Sequence, residues 1–196
     1  METRGRFTRL AAKLAAGLSI IVEIVLAFLN IQRQANGREN ALKVSSVGIR
    51  ASLYYGADWL IFSFFISTAV LLRHNGVTAF GIFLVLWIME SAVSALILII
   101  QQKVKWDITL GEAYRNSFEV LYSSSRIVAI FVLIPLLLKF ILWDGTDRFV
   151  VFLGKEANNF PKRTALLLGV AGAKMALWTK AILLGYQSVA ELISFF

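Results

Sequence analysis

Apolar positions fill this chain in blocks too long for a soluble core. From Val77 to Ile100 the only charged residue is Glu90. A helix rises about 1.5 Å per residue, so about 20 apolar residues cross the roughly 30 Å of a bilayer's hydrocarbon. Similar blocks lie near 54–73, 123–143 and 162–184. The pattern predicts an all-α integral membrane protein, one helical domain over 1–196 framed by a four-span bundle.

The block at 10–31 fits two placements. Arg9, Lys13, Glu23, Asn30 and Gln34 fall broadly on one side of a helix, with Ile20 and Ala27 among them. That suits an interfacial helix or a fifth span. Basic residues before this block resemble a signal sequence, but no small-residue cleavage site follows and Glu23 interrupts the run.

Shorter signals mark the connections. Asn36-Gly37 predicts a turn, and small and apolar residues at Ala41, Val44, Gly48, Ala51 and Tyr55 predict a helix running into the 54–73 span. Tyr54, Tyr55 and Trp59 suit the headgroup level. Gly76 predicts a tight turn and a helical hairpin. Thr109 with Glu112 forms a capping pattern for a surface helix near 109–122, with Leu110, Ala113, Tyr114, Phe118 and Leu121 as its apolar stripe. Pro135 predicts a kink that leaves the carbonyl of Phe131 free. Asp144-Gly145 reads as a turn, and Phe149 to Leu153 as a patch lying flat at the interface. Pro161 suits the first turn of the last span. Gly185 is expected to end it, with a short helix over 188–196 capped by Ser188 and Glu191.

Composition narrows the classes. Of 196 residues, 58% are hydrophobic and 16% charged, against about 25% charged in soluble domains. The formal charge of +8 lies mostly beside the spans, so anionic lipid headgroups, not nucleic acid, are the expected partner. With no cysteine and a single histidine, His74, disulfides, thiolate catalysis and histidine-rich metal sites are excluded. No nucleophile–base set or phosphate-binding loop is visible, so the chain reads as a non-enzyme without cofactor or metal.

Orientation depends on the first block. If it lies on the surface, twelve bases (Arg4, Arg6, Arg9, Lys13, Arg33, Arg38, Lys43, Arg50, Lys103, Lys105, Arg115 and Arg126) share one face. Five (Arg73, Arg148, Lys155, Lys162 and Arg163) share the other. The positive-inside rule then puts both termini and the 109–122 helix inside.

Ionisable groups within the spans carry the candidate chemistry, since each is costly in hydrocarbon. They are Asp58, Glu90, Lys139, Lys174 and Lys180, with Glu23 if the first block spans. Glu90 and Lys174 share a mid-span depth and are the expected pair. Asp58 and Lys180 fall together toward the basic face, and the Lys139 stem can snorkel. Ala165, Gly169 and Ala173, with Gly172 and Ala176, form small-residue faces for close helix packing.

These features predict a non-enzymatic accessory or scaffold subunit of a larger membrane complex, held to other subunits or to itself. The alternative is a small oligomeric channel or an ion- or proton-coupled transporter with Glu90 and Lys174 in its pathway. A prokaryotic inner (plasma) membrane is the expected location. The Arg-rich start makes the mitochondrial inner membrane the alternative.

Overall fold

The computed structural model describes the backbone of residues 2–31 and 37–194, with side chains over 15–31 and 38–188. Arg4, Arg6, Arg9, Lys13, Arg33, Gln34, Asn36 and Glu191 therefore lie outside the described side chains. The described residues form helices α1 (Glu2–Phe28), α2 (Gly37–His74), α3 (Ala79–Val104), α4 (Gly111–Ser124), α5 (Arg126–Leu142), α6 (Thr146–Phe152) and α7 (Phe160–Ser194), with no strand among them.

Local chemistry sets the boundaries. Gly76, at φ +78°, makes the α2–α3 turn, a conformation that glycine adopts without strain. Thr78 then caps α3 by accepting from the Gly81 N–H at 3.2 Å. α3 ends on Lys105 in the left-handed region, its N–H donating to the Gln101 carbonyl. Asn159 caps α7 by accepting from the Lys162 N–H at 3.1 Å, with Pro161 in the first turn. α7 runs unbroken through Gly185, where an interruption was expected. One helical glycine costs only about 1 kcal/mol, which a long packed helix tolerates.

Three helical stretches are long and apolar enough to cross a membrane: Arg38–His74, Ala79–Val104 and Phe160–Ser188. Their outer surfaces are apolar, with Leu60, Phe64, Leu71, Phe80, Ile88, Leu96 and Leu177 all exposed. Three helices of this length and composition mark the chain as a membrane protein. The expected fourth crossing, 123–143, is not among these stretches. It forms α5, 17 residues long and continuous through Pro135, so roughly 25 Å at 1.5 Å per residue.

The helices group into two compact units. The first comprises Met1–Ile49 and Glu112–Leu136. In it α4 lies on α1: Phe28 and Tyr114 meet edge to face at 5.2 Å, and the Ser117 hydroxyl donates to the Ile24 carbonyl at 3.2 Å. The stripe of Tyr114, Phe118 and Leu121 lines this contact. Glu23 is exposed on α1.

The second unit comprises Arg50–Gly111 and Leu137–Phe196. Phe65, Ala69, Ile82, Leu86 and Met175 form an apolar core where α2, α3 and α7 meet. α3 and α7 run antiparallel. Ala79, Phe80 and Phe83 share a groove with Lys180, Leu183 and Gln187, while Glu90 meets Lys174 further along both helices. The chain between them therefore leaves and returns at the same end. The last turn of α5 and α6 form a hairpin, with Phe140 packed on Phe149 at 6.5 Å and on Phe152 at 5.4 Å. The expected flat interfacial patch is a correction: Phe149, Val150 and Phe152 are buried. Seven residues cannot bury themselves, so α6 is inserted against α3 and α7.

Candidate functional site

Beside its apolar core, the second unit buries a cluster of polar and charged side chains. Its largest fully buried side chain is Arg148, at 0% exposure. Such a charge persists only if its donors find acceptors and its charge finds a counter-ion. Arg148 Nε donates to the Thr109 carbonyl at 2.6 Å. Nη1 donates to the Tyr55 hydroxyl at 3.0 Å and lies 2.8 Å from Asp144 Oδ2. The guanidinium also stacks over the rings of Tyr54 and Tyr55, at 4.2 and 4.8 Å. Tyr54 in turn donates to Asp147 Oδ2 at 3.2 Å.

A second cluster adjoins through α6. Glu90 Oε1 accepts from Lys174 Nζ at 3.0 Å and from the Thr146 hydroxyl at 2.8 Å. Asp144 is also ion-paired to Lys139 at 3.2 Å. The Asp144-Gly145 turn thus links the two clusters. Gly145 leaves room there for the Tyr54 hydroxyl and the Asp147 carboxylate, one or both of which would have to shift if a Cβ were added. Beside the turn lies a cavity of about 110 Å³, lined by Asp58, Glu90, Asp144 and Lys174 together with Tyr55, Trp59, Phe62, Trp143 and Trp178.

The structure brings together Glu90, Lys174, Asp58 and Lys139, all of which the sequence singled out. It separates Lys180, which is exposed in the groove with Ala79 and Phe83, from Asp58. Their shared depth assumed parallel α3 and α7, and the helices are antiparallel. Glu23 lies in the other unit. Ala165, Gly169 and Ala173 face outward, and nothing lies within 4 Å of a Cβ built on Gly169. Gly172 does permit a close approach: a Cβ there would sit 3.4 Å from Trp87 Nε1, and that indole donates to the Leu168 carbonyl at 2.9 Å. Ala176 lines the groove with Lys180.

Sequence reasoning missed Arg148, Asp144, Asp147, Tyr54 and Tyr55 as parts of one site. Their available signal was density: Asp144, Asp147 and Arg148 crowd a short stretch between two apolar blocks.

No three acidic, histidine or cysteine side chains among the described residues converge as a metal site. The arrangement can hold and exchange protons, or hold a cation, beside a helix break within the unit. Comparison with known families, curated proteins and solved structures finds no match.

Proposed function

We propose that this chain is a small ion- or proton-coupled membrane transport protein without enzymatic activity, with Asp58, Glu90 and Lys174 in its pathway. One observation carries the reading: a helix break, Trp143 to Gly145, opens onto a cavity walled by ionisable groups among membrane-length helices. Non-helical backbone at membrane depth is tolerated where it is buried in protein or lines a hydrated cavity. Broken helices of this kind form ion and substrate sites in transporters. A purely structural ion pair needs neither the break nor the cavity.

In this reading α2, α3 and α7 cross the membrane. α5 and α6 supply the fourth membrane element, entering and returning instead of crossing as the fourth span of a bundle. The antiparallel course of α3 and α7 supports this. So does the charge: with α3 and α7 antiparallel, Lys103, Lys105, Lys162 and Arg163 fall at one end of the pair, joined by Arg50, which donates to the Asp107 carbonyl at 3.0 Å, and Arg73 and Lys180 fall at the other. The positive-inside rule makes the first end cytoplasmic or matrix-facing, with anionic lipid headgroups as its partners. α1 is a further membrane helix, interfacial or spanning. A prokaryotic plasma membrane or the mitochondrial inner membrane is the proposed location.

The second reading, an accessory or scaffold subunit, is favoured by the outward stripe of Ala165, Gly169 and Ala173. Small residues at this spacing admit a helix from another chain or a second copy.

Liposomes containing the purified protein and a pH-sensitive dye test the first reading, with a potential imposed by potassium and valinomycin. Proton movement above that of empty liposomes is expected, with loss of at least ten-fold in Asp58→Asn at equal incorporation. Flux equal to that of empty liposomes, together with co-purifying membrane subunits on gentle extraction, would favour the scaffold reading.

A further inference from the structure

The cavity beside the charged centre has two features that the ion-pair network leaves unused: an acid and a set of aromatic rings. Glu90 is held by Lys174 and Thr146, and Asp144 by Arg148 and Lys139. Asp58 makes no hydrogen bond or ion pair with any described residue. An ionisable group at membrane depth is expensive and marks a functional site by default. Around it stand Trp59, Phe62, Trp143 and Trp178. Trp178 is fixed by its N–H bond to the Leu142 carbonyl at 2.7 Å. Phe62 meets it at 4.6 Å and 70°, and Trp143 at 6.0 Å and 69°. These steep angles stand the rings up as walls. Trp59 and Trp143, 67% and 70% exposed, flank the opening.

We propose that this cavity binds a small organic ammonium ion with apolar substituents, its charge facing Asp58 and its alkyl groups facing Trp59, Trp143 and Trp178. This rests on the transport reading and names the cargo of the same site. Aromatic faces attract cations through the ring quadrupole, most strongly where water is excluded, and quaternary ammonium ions are recognised this way. The cavity, about 110 Å³, is of the same order as the roughly 150 Å³ void that accepts benzene in a protein core. A bare metal ion fits poorly: calcium takes about six oxygen ligands, and no three acidic, histidine or cysteine side chains converge among the described residues. An anion fits poorly too, since Lys174, the base on the described wall, is already bound to Glu90.

The test titrates tetramethylammonium chloride into the purified full chain in detergent, at constant ionic strength with sodium chloride. Tryptophan fluorescence reports binding, and tert-butanol serves as a neutral probe of similar shape. A saturable change is expected for tetramethylammonium and none for tert-butanol at equal concentration. Asp58→Asn should weaken binding at least ten-fold. Trp59→Leu, at an exposed position outside the packed core, should weaken it several-fold with unchanged thermal unfolding, which keeps the test decisive if Asp58→Asn fails to fold. No saturable response, an equal response to tert-butanol, or unchanged affinity in either folded variant would overturn the proposal. Binding is read without a gradient. Asp58-dependent binding in a protein that moves no ions would therefore discard the transport reading and keep the site. Proton flux without binding would discard the cargo.

Discussion

Arg148 shows at the scale of one residue how a charge is held beside the apolar core. Its planar guanidinium reaches a carbonyl, a phenol and a carboxylate at once while two rings cover it. A lysine has no such fork and cannot reproduce that set. Arg148→Lys should lower the thermal unfolding temperature in detergent, and Arg148→Met should lower it further by leaving Asp144 with Lys139 alone. Breaking a buried pair costs about 3–5 kcal/mol, so wild-type stability in either variant would contradict the described contacts. Glu90 and Lys174 make a second test. Glu90→Gln and Lys174→Met should each destabilise, and the double change should recover part of the loss in a thermal-unfolding cycle. Strict additivity would show that the two do not interact. This pair was legible in the sequence because each member stands out within a long apolar run. Arg148, Asp144 and Asp147 were not, because they share a short mixed stretch that reads as a surface turn. Only the return of the chain against α3 and α7 buries them.

The element that most changes the picture is α6. Its seven residues are too few to show a reliable apolar period, so the sequence placed Phe149 to Leu153 flat at an interface. Two glycines hold it instead. At Gly145 a Cβ would strike Tyr54 and Asp147, and at Gly111 it would lie 2.7 Å from the Val151 side chain and 2.9 Å from the Arg148 carbonyl. Gly145→Ala and Gly111→Ala should therefore each destabilise by at least about 1–3 kcal/mol, the usual cost of overpacking. Gly169→Ala, with nothing within 4 Å, should be neutral or stabilising by up to about 1 kcal/mol, from helix propensity. Denaturation of the three variants in parallel checks the ranking; equal losses at all three positions would mean that α6 is not packed as described. The starts of the long helices α3 and α7, by contrast, were legible to within two residues. The start of α3 was marked by Gly76 and that of α7 by Pro161, because turn chemistry is local, while the Thr78 cap was not singled out. Gly185 misled, since local propensity yields to a packed helix.

For the molecule as a whole, the sequence yielded the membrane class and left the course of the chain open. Hydropathy reports depth along a helix, not direction relative to a neighbour. A four-span plan makes α3 and α7 parallel, whereas the grooves and the Glu90–Lys174 contact make them antiparallel. The charged centre and the cavity both depend on that reversal, because it is what returns α6 between the two helices. The central claim is thus that residues 105–159 leave and re-enter at one side of the membrane. The chain has no cysteine, so single variants Asn75→Cys, Lys103→Cys and Lys155→Cys can be labelled without background. A membrane-impermeant maleimide is applied to oriented membrane vesicles from each side. The account predicts that positions 103 and 155 label from the same side and position 75 from the opposite one. Labelling of 103 and 155 from opposite sides would establish a full crossing by α5 and contradict the account.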